Sequence, residues 1–451
     1  MITVTLLILL LLPIPSLSET IKESPLQVWK VGDRRWTIEE EENYAKWIEA
    51  NMTEDFFIRY KIPIDCADVP YAVRWIYARM AHLPAAATTK NDKLIGHWST
   101  EWGHLPIHSE WHKDLRFRKA LLHMLSETTT RTLPMDTYPI RIDRDSVIPG
   151  TIFFVTESHS GVIGRVLLDG SSTHPLQTWE ATSPVKPQKL NARDFLTPRP
   201  ESTIYSGIVK FRWPVVVNRN WQYLPVEEHP FYCLEQYSAS FYEGYGDFVE
   251  AVAKKIDPTD YDPWEKMEKV LETTRGYLME RVPIVLAGYK RCQRGGCPEG
   301  SALWEIHSTP GRDGRITLWM DYLHQLIESN HLDKETLKEK MESISILIKP
   351  GQLVTFYHLY QNYPWLSPHP GDSIEARWGL KKCEMILSQV RSAKKSIAFI
   401  ERTYRRKDPK YANFAIQQQE QILRRLNAEW ERSQCRENRE VKREDEKKRG
   451  L

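Results

Sequence analysis

Cysteine is scarce in this chain of 451 residues: Cys66, Cys233, Cys292, Cys297, Cys383 and Cys435 are all it has. Six are too few for a small scaffold built on disulfides. Long apolar runs are missing too. Beyond the first eighteen residues no segment approaches the twenty apolar residues of a membrane-spanning helix. Overall charge is nearly absent, with 62 Lys and Arg against 60 Asp and Glu, and no nucleic-acid partner is expected. A hydrophobic fraction of 41% beside 27% charged residues excludes a collagen-like, mostly disordered or multi-span membrane chain. The length leaves room for two or three domains.

What is present is unevenly spread. Sixteen Trp and twenty Tyr point to aromatic-rich cores or to surfaces that meet carbohydrate or peptide. From Arg377 onward there are 21 basic and 11 acidic residues, so an acidic body carries a basic tail. Such a tail suits an anionic surface, although charge runs also serve as solvated helix faces. Residues 1–18, MITVTLLILLLLPIPSLS, read as a secretory signal peptide: a short apolar run, broken by Pro13 and Pro15, ends in small residues. No Lys or Arg precedes the run, so an uncleaved anchor is the other reading. The expectation is an exported protein, periplasmic or secreted, with no transmembrane span once the signal is removed. Cys292 and Cys297 can close a small loop through Gly295 and Gly296 as a disulfide, and no second pair at matching spacing suggests zinc.

The acidic start at Thr37–Glu42 opens a helix expected over 37–59. A second helix begins just after Cys66, with Val69, Val73, Ile76 and Met80 as its buried stripe. An irregular stretch over 85–113 holds Trp98, Trp102 and Trp111, and a further helix runs from about Asp114 to Ser126. The period then changes. IFFV (152–155), GVIGRVLL (161–168), LQTWEA (176–181) and IYSGIVKFRW (204–213) are short β-rich runs, with Asp169-Gly170 as a turn between the second and third. Helices followed by a strand meander predict an α+β domain. Residues 226–375 read as mainly helical, with 295–315 as a loop or a loop with a short strand. In the last part, Cys383, Ile386, Val390, Ala393, Ile397, Ile400 and Tyr404 repeat at helical spacing, and Ile416, Leu423, Leu426 and Trp430 resume it after Asp408-Pro409. This predicts an antiparallel helical hairpin over 376–451 that ends in a frayed tail.

Three residues carry the expected chemistry. Cys66, in IDCADVPYAVRWIYARM, stands at the first turn of a helix, where the dipole and free N–H groups stabilise a thiolate; a buried structural cysteine is the alternative. His159 opens the strand HSGVIGRVLL behind the Pro149-Gly150 turn, and could present its ring to that helix start as general base and acid. Glu180, in TWEATSP on the next strand, could hold the other ring nitrogen and so set the tautomer, or simply face outward. His104, His108 and His112 have the spacing of helical metal ligands, but Pro106 and Gly103 oppose a helix there, and no metal is assigned.

Asp-Cys opening a helix, a Pro-Gly turn with an apolar strand, His-x-Gly-Val-Ile, then a polar residue on the next strand: this order resembles the NlpC-type, papain-like cysteine peptidases. The permuted relatives, including lecithin:retinol-acyltransferase-like enzymes, place the histidine first. The resemblance covers about residues 40–215. It implies a papain-like α+β core over 19–225, with Cys66 as nucleophile, His159 as base and Glu180 as orienting residue. It also implies amide cleavage, mostly in peptidoglycan stem peptides, without metal or cofactor. Tyr60 is a loose match to the tyrosine that helps bind substrate there, and Trp98, Trp102 and Trp111 could flank the cleft. The chain departs from the family in Ala67-Asp68 after the cysteine, in the 93 residues between Cys66 and His159, and in Glu at the third position. Two other readings stand beside the hydrolase. One is a noncatalytic envelope-binding scaffold on the same fold, and the other is a lipid-directed thioesterase or acyltransferase.

Overall fold

The computed structural model describes residues 22–155, 158–200, 206–243, 247–406, 409–433 and 435, without the side chains of residues 294 and 411. The expected signal segment 1–18 and the tail 436–451 lie outside the described residues. The chain forms two units, 1–260 and 261–451, and is mixed α+β.

The first unit opens with α1 (Ile38–Asn51), α2 (Phe56–Arg59) and α3 (Asp68–Ala81), followed by a small hairpin of β1 (Ala86–Thr88) and β2 (Leu94–Gly96). Then come α4 (Leu115–Glu127), α5 (Leu133–Asp136), β3 (Thr137–Pro139), β4 (Ile152–Val155), β5 (His159–Val166), β6 (Leu176–Glu180), β7 (Asn191–Asp194) and β8 (Gly207–Phe211). A second hairpin, β9 (Pro214–Val217) with β10 (Asn220–Tyr223), and α6 (Phe248–Ile256) complete it. Six strands pair in the order β3-β8-β4-β5-β6-β7, antiparallel throughout.

Local signals explain the helix starts. Thr37 caps α1 by accepting from the N–H of Glu40, and Asp114 caps α4 through the N–H of Phe117. The helix expected over 37–59 is two: Met52 is extended, and the Thr53 hydroxyl bonds to Asp55 in the turn that separates α1 from α2. α3 is the centre of the unit. Every residue from Asp68 to Arg79 is buried, including Val69, Val73 and Ile76. Met80, expected in the same stripe, lies in the last turn of α3 and is 44% exposed.

The sheet separates two apolar layers. Ile152, Phe154, Val162, Trp179 and Val209 face α3, whereas Phe153, Ile163, Leu176 and Ile208 face Phe248, Val252 and Ile256 of α6. Strand alternation requires this two-sided burial. The first unit ends at residue 260, where the sequence suggested 225: Phe231, Phe241 and α6 cover the second face of the sheet. On the α3 side, Arg74 donates to both carboxylate oxygens of Glu41 (2.6 and 3.0 Å) and lies 3.2 Å from the centre of the Trp36 ring. Trp213 also donates to Glu41, at 2.8 Å.

The second unit contains α7 (Pro263–Arg291), α8 (Ala302–His307), α9 (Pro310–Ser329), α10 (Lys334–Ser343), the hairpin β11 (Ser345–Lys349) and β12 (Gln352–Thr355), α11 (Phe356–Asn362), α12 (Ile374–Arg377), α13 (Lys382–Tyr404) and α14 (Pro409–Arg432). Much of 295–315, read from sequence as a loop with at most a short strand, is helical. Ser301 caps α8 through the N–H of Trp304, and Pro310 opens α9, a position where its missing N–H does no harm. Disulfides join Cys292 to Cys297 and Cys383 to Cys435, the second tying the start of α13 to the end of α14. Among the described residues no helix is long and apolar enough to cross a membrane.

Candidate active site

Cys66 lies two residues before α3. Its carbonyl accepts the Ser160 hydroxyl (2.9 Å). Cys66 therefore meets β5 at the residue after His159. On the same strand, His159 Nε2 is 2.9 Å from Glu180 Oε2, and the other Glu180 oxygen accepts the Thr178 hydroxyl at 2.7 Å. Glu180 is only 2% exposed. A proton on Nε2 donated to Glu180 leaves Nδ1 as the basic nitrogen. Residues 66, 159 and 180 thus gather at one end of the sheet.

The pleat settles which way each side chain leaves β5. Ser160 and Val162 face α3, while His159 and Gly161 share the opposite face with Glu180 and Phe153, whose ring centre is 6.1 Å from that of His159. Cys66 meets β5 through Ser160 on the α3 side, and His159 starts from the other face.

The helix start also differs from expectation. The Asp65 carboxylate accepts from the N–H of Ala67 (3.0 Å) and Asp68 (3.4 Å), and Asp68 accepts in return from the N–H of Asp65 (2.8 Å). This reciprocal cap takes up N–H groups that a thiolate or an oxyanion would use. Burial, then the charge of Asp65, pushes the Cys66 thiol up to about 12, against the pull of the Ser160 and Ala67 N–H groups. Burial first and Asp65 second push Asp68 up to about 8. At neutral pH the resting sulfur is a thiol. The Asp-Cys-Ala-Asp run carries this signal, because a carboxylate followed three residues later by another is a capping pattern.

Gly161 is required by the pair beside it. A Cβ there would stand 2.6 Å from the Phe153 ring and 2.9 Å from Glu180 Cγ. Gly161→Ala should destabilise the first unit by about 1–3 kcal/mol in urea unfolding followed by tryptophan fluorescence; a loss within about 0.5 kcal/mol would mean the pair can shift freely.

The aromatic residues expected at a cleft differ in their surroundings. Trp111 is buried, 4.7 Å from Tyr60 and 6.2 Å from Phe56 between ring centres, so both Tyr60 and Trp111 pack in the core around α2. Trp102 packs on His123 at 5.2 Å, and Trp98 stacks on Trp221. Residues 104–112 form no helix, so His104, His108 and His112 do not share a helix face, and no metal-holding cluster occurs among the described residues. Ser160 and Trp221 are the site and surface residues that the sequence reading passed over. No protein-family model, curated protein or solved structure matches the chain.

Proposed function

We propose that this protein is an exported thiol hydrolase with an NlpC-type, papain-like first unit that cleaves envelope peptide bonds, peptidoglycan stem peptides first among them. The observation that carries the reading is the His159–Glu180 hydrogen bond one residue from Ser160, whose hydroxyl donates to the Cys66 carbonyl. In the reaction, sulfur attacks the scissile carbonyl carbon as its proton passes to Nδ1 of His159. That proton then goes to the leaving amine, and the C–N bond breaks to leave a thioester on Cys66. Water, deprotonated by the same nitrogen, cleaves the thioester and restores the thiol. Glu180 keeps the Nε2 proton and stabilises the imidazolium. Because the resting sulfur is protonated, attack and proton transfer are coupled, with no stored thiolate. The basic α13–α14 hairpin would hold the enzyme on an anionic wall or membrane.

A noncatalytic envelope-binding platform is the second reading, favoured by the elevated thiol and by the face from which His159 departs. Iodoacetamide labelling of residue 66 from pH 5 to 9, read by site-resolved mass spectrometry, separates the two. The hydrolase reading expects labelling at pH 7 that slows at least about tenfold in His159→Ala. Labelling that stays negligible to pH 9, with or without His159, would leave the platform.

A further inference from the structure

The first unit carries a cleft of about 470 Å³ at the far end of α3 from Cys66. Pro84, three residues past α3, lines it, whereas Cys66 stands two residues before that helix. The 14 residues of α3 span about 21 Å, so the cleft is a separate place. Trp98 and Trp221 form one wall, stacked with ring centres 5.2 Å apart and planes 4° from parallel. The Trp98 ring lies against Gly96, where a Cβ would come within 2.3 Å of it. The β9–β10 hairpin that carries Trp221 is anchored from within, since Tyr223 donates to the buried Asp136 at 2.9 Å and Asp136 also takes the hydroxyls of Tyr71 and Thr88. These walls are held in place by the core.

We infer that this cleft binds a carboxylate-bearing saccharide. The side of the stacked indoles turned to the cleft matches the C–H face of a pyranose, and the Asn220 amide at the wall can meet ring hydroxyls. Charge specifies the rest. Lys22, Arg34, Arg35 and Arg219 line the cleft against two acids, Glu23 and Asp33, with Arg34 already paired to Glu40 at 2.6 Å. Glu23 is turned inward, accepting from the N–H groups of Val31 (2.6 Å) and Gly32 (3.0 Å). Guanidinium groups beside an aromatic wall recognise a carboxylate by paired donors. An acidic peptide would satisfy the charges but would leave the indole wall without a flat partner. The inference stands whether or not Cys66 reacts.

The test titrates the full chain with an oligogalacturonate, a neutral glucose oligomer of equal length and an oligoglutamate, by calorimetry and tryptophan fluorescence. The acidic saccharide should bind saturably and quench fluorescence. Trp221→Ala should weaken it by about tenfold or more, and Arg35→Glu, at an exposed position that cannot disturb the core, by about fivefold or more. Cys66→Ala should bind as the parent does. Absence of saturable binding, equal binding of oligoglutamate, or full affinity in both Trp221→Ala and Arg35→Glu would overturn the inference.

Discussion

Arg74→Ala should destabilise the first unit by about 3–5 kcal/mol at pH 7, because it leaves a buried carboxylate without its counter-charge. Glu41 and Arg74 are 3% and 5% exposed, deep between α1 and α3. Burial alone would raise the Glu41 pKa; Arg74 first, then Lys210 and the Trp213 N–H, hold it below the ordinary carboxylate range. The sign of the pH dependence follows. A lowered carboxyl contributes stability that is present above its unfolded value and is lost as pH falls through its folded one. In the variant, burial of Glu41 is opposed mainly by Lys210 and Trp213, so the carboxyl protonates more readily and the gap to the parent narrows towards pH 4. Urea midpoints at pH 4 and 7 check both parts. The double variant Arg74→Met with Glu41→Leu should lose less than Arg74→Ala, since it removes the orphaned charge. A loss under about 1 kcal/mol in Arg74→Ala would mean that water reaches Glu41.

The second large effect concerns the thiol. Asp65→Asn should speed alkylation of Cys66 at pH 8 by about tenfold, the change in thiolate that follows from one unit of pKa. The substitution removes the charge that, after burial, does most to hold the thiol proton, and the amide oxygen can still cap Ala67. It should also lower the pKa of Asp68, whose value near 8 is the work of burial and then of Asp65. A raised carboxyl works against stability as pH climbs from its unfolded value towards its folded one, here from about 4 to about 8. Asp65→Asn should therefore flatten a decline in stability across that window. Alkylation unchanged in the variant would assign the elevated thiol to burial alone. Under the hydrolase reading the same variant frees the Ala67 and Asp68 N–H groups of a charged competitor for an oxyanion.

Much of the first unit was legible locally. IFFV, the run after His159, LQTWE and GIVKF are β4, β5, β6 and β8, because β-branched and aromatic residues bounded by turns favour extended backbone. Thr37 and Asp114 announced helix starts through their own side chains. The long spacing repeat on either side of Pro409 became α13 and α14, yet Phe399 and Phe414 on them are 55% and 61% exposed, since a two-helix seam covers only one stripe of each. Other elements had no such signature. β3 and β7 are short strands whose pairing with β8 and β6 is supplied by their neighbours. The bridge between Cys383 and Cys435 closes 52 residues, a distance that composition cannot choose.

By itself, the order of residues determined the α+β class, the helix that follows Cys66 and the positions of His159 and Glu180 on neighbouring strands. These depend on side chains within a few residues of each other, and caps, turns and two-residue alternation act at that range. The tertiary structure alone decided that Ser160 rather than His159 faces α3, that Asp65 caps the helix its neighbour would use, and that Trp98 meets Trp221 in a cleft past the other end of α3. The physical reason is register. A strand's pattern allows either face until pairing chooses one, and a charge or a ring acquires its role only from what the fold sets against it.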